Sequence, residues 1–472
     1  MLFRRQAEQV LHRREQAKSV KGKIMRWWDL ALIGTGAVIG AGFFLGTVLS
    51  IQRAGPSIVL LYLLGGVCAY FVFAALAAMS INDPQEGSFR VYARKAFGSS
   101  MGFVSGWNYW LAGVLIMSSE VAALAIFTRY WFPGIGLWVF AAFYAVIGFT
   151  INLLGVKDFG KVESLFGILK TSSLVIFIIF GVLLVFGLII PDKTTAAGPL
   201  VLFPGGLTGS WSAMIFVLFS YGGIEVMGLL CGELKRRREV GRAGRVMVIS
   251  LTVIYSLALL FALLIVPWQS INISSSPFVT ALSSLGLPYA DSLLNLLVIS
   301  AAFSTMVGAL FAVTNVLVSL AEDGDAPHAL IERNHKGVPL LALSITGLGL
   351  AVTVLVSFLL PAGVYEYFTT AAGVMLILNW LLILASHMKN QPVYHKACEK
   401  EEYRLPGFPY STYLAMAIIV LTIIGALLFA AERIGVLISL SAAIVIFLIS
   451  RLRRSLGQPE INPAPAHKKL PK

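Results

Sequence analysis

One lysine, three carboxylates and two glycine-rich strings interrupt an otherwise apolar sequence. Lys170 sits in FGILKTSSLVIF, Glu120 in MSSEVAALAIF, Glu225 closes FSYGGIE, and Glu233 follows shortly after. The glycine strings are GTGAVIGAGFFLG at Gly34–Gly46 and the Gly222-Gly223 pair beside Glu225. A glycine inside a helix costs up to about 1 kcal/mol relative to alanine. Five glycines among the thirteen residues of Gly34–Gly46 therefore need a reason. One reason is close helix packing through small residues. The other is a helix that breaks in mid-course, leaving backbone N–H and C=O groups free to hold a ligand. A charged side chain within an apolar span is equally expensive, about 2.5–3.5 kcal/mol or more for lysine, so it too marks a site.

The elements that carry these residues are membrane spans. The chain has 472 residues, 58% hydrophobic and 12% charged, with mean hydropathy +0.84. Soluble globular proteins carry roughly 25% charged residues. Apolar segments of bilayer-crossing length fall near residues 28–50, 57–80, 101–131, 135–155, 164–190, 210–232, 246–267, 290–320, 339–361, 365–387, 411–430 and 433–451, twelve in all. With the N-terminus inside, cytoplasmic segments hold 31 lysines and arginines against 4 outside, which fixes both termini in the cytoplasm by the positive-inside rule. The net charge of +13 thus belongs to loops facing lipid headgroups, not to a nucleic-acid surface. The first apolar segment is a full span and not a cleavable signal. Cys68, Cys231 and Cys398 have no zinc-ligand spacing, and the six histidines lie in cytoplasmic segments or at a span end. There is no GxxxxGK[ST] loop, so any pumping draws on ion or solute gradients. No cofactor is expected.

Broken spans one and six are what a five-plus-five inverted repeat produces. This divides the chain into a basic cytoplasmic N-terminus (1–26), a first repeat (27–190), an inverted repeat (210–388), two further spans (411–452) and a cytoplasmic tail (453–472). Two interrupted helices lying antiparallel offer half-helix N-termini to an anion and free carbonyls to a cation. An α-amino acid zwitterion carries both charges. Glu225, next to the second break, is expected to fix the turn by accepting backbone or hydroxyl donors.

The strings GAVIGAGFFLG, AGPSIVLLY, EGSFRVYARKAFGSSMGFVSGWNYWLAG, NLLGVKDFGKVES, FSYGGIEVMGLLCGE, SPFV and AEDGDAP occur in this order. Together they resemble the amino-acid transporter family of the amino acid–polyamine–organocation superfamily, from about Met25 to Arg454. The resemblance implies an all-α polytopic membrane protein of 12 transmembrane helices with a LeuT-like fold, discontinuous helices 1 and 6, and symport of amino acids with protons across a cell membrane. It places the substrate carboxylate on the backbone N–H groups of Ala41 and Gly42, beside Gly40. The amine falls at carbonyls of Val38, Phe219 and Gly222, next to Ser220, while Met117, Tyr221 and Met375 face the side chain and favour a neutral, bulky apolar amino acid. It also puts the Lys170 ammonium where sodium-coupled relatives of the fold hold Na⁺, near carbonyls around Gly34–Thr35 and the hydroxyls of Ser304 and Thr305. The sequence departs from the family at Ala41, where many members have Ser or Thr and so a further hydroxyl donor worth about 1 kcal/mol. It departs again at Asn315, where an Arg is common.

Several roles stay open at this level. Burial makes the protonation of a lysine sensitive to solvent access, which suits Lys170 to proton coupling; the bland alternative is that it snorkels toward Glu163 and the inner surface. Glu120 carries the proton, meets a basic substrate side chain, or is a protonated acid bonded to a neighbouring helix. Glu233 is a gating partner of a basic loop residue or an exposed acid. Asn315 and Asn379 are expected to bond helix to helix. The rival functions are an amino acid/amine exchanger and a non-transporting amino acid sensor, the latter disfavoured by terminal extensions too short for a signalling domain.

Overall fold

The computed structural model describes residues 25–85, 87–155, 159–188, 201–230, 234, 236, 238–361, 363–397 and 403–455. The expectations for the N-terminal segment before Met25, for Glu233, Cys231 and Cys398, and for the tail beyond Ser455 lie outside the described residues. The described chain is helical, with one isolated parallel bridge, Met25 to Leu234, and no strand. In order, the helices are α1 (Trp27–Val38), α2 (Ala41–Phe44), α3 (Gly46–Ala54), α4 (Ile58–Asn82), α5 (Phe89–Phe97), α6 (Ser99–Arg129), α7 (Leu137–Leu154), α8 (Phe159–Val185) and α9 (Gly206–Phe219). They continue as α10 (Val226–Leu230), α11 (Glu239–Ile265), α12 (Pro277–Ser284), α13 (Ala290–Glu322), α14 (Leu340–Leu359), α15 (Val364–Ala397), α16 (Tyr410–Ala426) and α17 (Ala430–Ser455).

Apolar side chains cover the outside as well as filling the core, and a set of polar side chains is buried among them. Phe143, Val146, Leu165, Ile176, Leu348 and Ile444 are more than half exposed, whereas Asn295, Thr346, Thr353 and Lys170 are buried. Nine helical stretches among the described residues are long and apolar enough to cross a membrane. That number is smaller than the twelve apolar segments of the sequence for a local reason. The first segment breaks after Val38 and the sixth after Phe219, so neither supplies an uninterrupted helix of spanning length; α16 has 17 residues. The chain is a polytopic, multi-pass membrane protein.

Contacts along their whole length show that the two broken segments run antiparallel. The start of α1 meets the chain beyond α10 at the Met25–Leu234 bridge. In the middle, Ser220 Oγ donates to the Gly42 carbonyl at 2.7 Å. At the far end the Ser57 amide donates to the Leu202 carbonyl at 3.0 Å. Around this pair, α6 packs against α13 and α15, α4 against α11, and α8 against α1. The helices that supply Glu120, Thr305 and Lys170 (α6, α13 and α8) thereby converge on the first break.

Candidate substrate and coupling site

Helix α1 stops because Ile39 (φ −75°, ψ 106°) and Gly40 (φ −148°, ψ −161°) are extended. The chain resumes as α2 and passes into α3 through Leu45, which keeps right-handed helical angles. Gly40 is required by proximity. A Cβ there would collide with Glu120 Oε1 and lie 3.0 Å from Thr305 Cγ2.

The two sides of the break are held by opposite charges. On the α1 side, Lys170 Nζ donates to the Gly36 carbonyl at 2.7 Å and to Thr305 Oγ1 at 2.8 Å. Thr305 Oγ1 lies 3.1 Å from the Ile39 carbonyl, within donating distance. On the α2 side, the Ala41 amide donates to both carboxylate oxygens of Glu120 at 3.0 Å. A cation on the C-terminal carbonyls of one half-helix and an anion on the N-terminal amide of the next are the charges that helix ends favour. Lys170 is 1% exposed, with Glu163 Oε1 3.6 Å away, so it does not snorkel to the surface.

The second break is a run of turns over Ser220–Glu225 between α9 and α10. Gly223 has φ +104°, and a Cβ there would sit 2.9 Å from the Ala37 carbonyl, so this turn touches the end of α1. Glu225 accepts from the Gly223 amide at 3.2 Å and from Trp380 Nε1 at 3.3 Å, tying the turn to α15. The remaining carbonyls of α2 are also claimed: Tyr365 Oη donates to Ala41 O at 2.7 Å, and Ser220, itself 2.8 Å from Tyr62 Oη, to Gly42 O. Val38, Ala41, Met117, Phe219, Ser220 and Tyr221 are all buried, whereas Gly222 and Gly223 of the second break keep partial exposure.

Several expectations from the sequence meet a different geometry. The Ala41 amide, assigned to a substrate carboxylate, holds the carboxylate of Glu120 instead. Ser304 is not a partner of Lys170: its hydroxyl turns back to the Ala301 carbonyl at 3.3 Å. Successive residues of a helix point about 100° apart, so only Thr305 of this pair faces Lys170. The carbonyl that meets the ammonium is Gly36, one residue past the Gly34–Thr35 pair. Tyr221 spends its hydroxyl on the Tyr62 carbonyl at 2.8 Å and packs near Tyr255. Asn315 and Asn379 donate to carbonyls one turn back in their own helices, Phe311 and Met375, which are always within reach. Amides that do cross between helices include Asn108 on Met375, Asn295 on Phe127, Asn390 on Tyr92, and Asn152, which is shared between Val307 and its own Gly148. Met117 and Met375 are fully buried. Tyr62, Tyr365 and Trp380 escaped the sequence reading. A buried Tyr or Trp needs a polar partner, which was the available signal.

Salt bridges tie helices together on two separate parts of the molecule. On one, Arg53 at the end of α3 bonds Glu432 at 2.9 Å and Glu366 at 3.2 Å. On the other, Arg90 and Arg94 of α5 reach Asp323 at 3.1 Å and Asp325 at 2.7 Å, and Arg453 of α17 lies 3.7 Å from Asp325. The burial of Asp325 pushes its carboxyl above the usual aspartate value, against the pull of Arg94, Arg90 and Arg453.

A family model described as "Amino acid permease" matches residues 29–458. The chain belongs to the amino acid permease family. The permease is 38% identical over 449 residues to an uncharacterized transporter, YcgH, of Bacillus subtilis, covering 93% of this chain and 97% of the relative. It is 33% identical over 390 residues to the aromatic amino acid transport protein AroP of Escherichia coli K12, covering 81% and 84%. It is also 33% identical over 406 residues to an uncharacterized amino acid permease, YtnA, of B. subtilis, covering 84% and 87%. A transporter of amino acids, and not an enzyme, is what this membership means for the break in α1 and its two charged clamps.

Proposed function

We propose that the permease imports neutral amino acids across the cell membrane by proton symport, with twelve spans in a LeuT-like arrangement and both termini in the cytoplasm. The observation that carries this reading is the carboxylate of Glu120 on the Ala41 amide. That amide is a receptor for a carboxylate at the end of a half-helix, and a substrate α-carboxylate has the same two oxygens to offer. Substrate and Glu120 then compete for one donor. Protonating Glu120 weakens its hold, because a charge-assisted hydrogen bond is roughly twice as strong as a neutral one. A proton on Glu120 thereby makes room for substrate, and the substrate amine meets the carbonyls of Val38, Phe219 and Gly222. Lys170, with Thr305, stands where a coupling cation would join α1 to α13; loss of its proton would loosen that junction and let α1 move. The apolar Met117 and Met375, and the likeness to a protein named for aromatic amino acid transport, favour a bulky neutral side chain.

One zwitterion with one proton carries one net positive charge. At 100 mV this is worth about 2.3 kcal/mol, enough for roughly 50-fold accumulation at about 1.4 kcal/mol per decade. The test is uptake of a labelled mixture of twenty amino acids by purified protein in proteoliposomes. Concentrative uptake into empty vesicles under an inward proton gradient, abolished by a protonophore, is the expected result. Uptake only into preloaded vesicles, indifferent to pH, would replace symport with exchange. Binding without uptake in either arm would make the protein a sensor.

A further inference from the structure

A cleft of about 640 Å³ opens away from the transport site, between the end of α7, the C-terminal half of α13 and the 333–339 loop leading into α14. Its volume lies within the range of about 300–1,000 Å³ usual for small-molecule sites. Arg333, His335 and Lys336 line it on the loop side, and Thr314 and Asn315 of α13 line the helix side. No acidic side chain is among its lining residues, and neither Arg333 nor Lys336 has a carboxylate partner among the described residues. The basic rim is built rather than loose. Asn334 Oδ1 accepts from the amides of Lys336 and Val338, each at 2.9 Å, and Arg333 Nη1 donates to the Gly337 carbonyl at 3.0 Å. Gly337, at φ +78°, permits that turn. Val338 is buried and anchors the loop.

We propose that this cleft binds a phosphate-bearing anion. The rim supplies a guanidinium, an ammonium and an imidazole; behind it Thr314 spends its hydroxyl proton on the Leu310 carbonyl, while Asn315, which gives one amide hydrogen to Phe311, keeps the other for the anion. Guanidinium and ammonium are the donors that phosphate oxygens select. The cleft lies on the face that the charge bias of the loops assigns to the cytoplasm, where anionic headgroups concentrate basic side chains. Leu154, which lines the cleft, and the neighbouring Leu340 are 60% and 41% exposed and present an apolar surface beside it. An acyl chain can therefore lie outside while its headgroup enters, which favours an anionic phospholipid over a free phosphate.

The experiment compares thermal unfolding of the purified full chain in nanodiscs of phosphatidylcholine alone with nanodiscs containing phosphatidylglycerol. In a parallel arm, glycerol phosphate is titrated into the phosphatidylcholine discs. A saturable rise in Tm in the first arm identifies a lipid headgroup, and one in the second identifies a soluble phosphate. In either arm the doubly substituted Arg333→Gln/Lys336→Gln protein should bind about 30-fold more weakly. Asn315→Leu, which removes the cleft's neutral donor without changing its charge, should also abolish the shift and decides the matter should the double variant fold poorly. No shift in either arm, or a shift that survives both variants, overturns the proposal.

Discussion

At the scale of single residues, the first break is a set of obligations that three side chains discharge. Removing the Lys170 ammonium leaves the Gly36 carbonyl and the Thr305 hydroxyl without their donor, and each unsatisfied buried group costs about 1–3 kcal/mol. Lys170→Ala is expected to lose proton-driven accumulation in proteoliposomes while retaining slow counterflow of labelled substrate. Undiminished accumulation would remove Lys170 from the coupling role. Glu120 makes a separate and signed prediction about pH. External acid protonates the carboxylate and frees the Ala41 amide, so the apparent KM of the wild type should fall as external pH falls. Glu120→Gln, neutral at every pH, should give a flat profile; a KM that still follows pH in this variant places the proton elsewhere. Gly40→Ala tests the close approach, because its Cβ would collide with Glu120 Oε1 and Thr305. Overpacking of this kind costs about 1–3 kcal/mol, and uptake should drop by about tenfold or more with the protein still inserted in the membrane.

Elements matter here because they are interrupted. The sixth span keeps its turn through Glu225, which gathers the Gly223 amide and the Trp380 indole N–H. Glu225→Gln replaces charged acceptors with a weaker neutral one and should reduce uptake of every substrate alike. A competition panel of amino acids is the check: a changed order of preference, with the rate preserved, would mean that Glu225 touches substrate. The same scale explains why expected partners moved by a single position. Helical periodicity turned Thr305 toward Lys170 and left Ser304 facing its own helix. It also returned the amides of Asn315 and Asn379 to carbonyls one turn back, while Asn108, Asn152 and Asn295 crossed to neighbouring helices.

For the whole molecule, two sets of salt bridges join helices that are far apart in the chain. Arg53 ties α3 to α15 and α17 through Glu366 and Glu432. Arg90 and Arg94 tie α5 to the end of α13, and Arg453 brings α17 to Asp325. Movement of α3 against α15 and α17, or of α13 against α5, must break one set. Arg94→Gln is expected to speed amide hydrogen–deuterium exchange across 89–97 and 319–325, leaving the Arg53 face unchanged. Unaltered exchange there would show that the pair does not hold α5 to α13.

The amino-acid sequence alone determined that the chain crosses a membrane many times, where its helices break and which intramembrane charges require partners. Those properties follow from composition, glycine placement and the cost of ionised groups in hydrocarbon, all local in the chain. Spacing could not say which donor meets which acceptor. The Ala41–Glu120 pair is separated by 79 positions, Lys170–Gly36 by 134 and Tyr365–Ala41 by 324. Only the packing of α6, α8 and α13 around the α1 break chose among the buried acceptors, because a hydrogen bond needs its atoms within about 3 Å and that distance is set by tertiary contact.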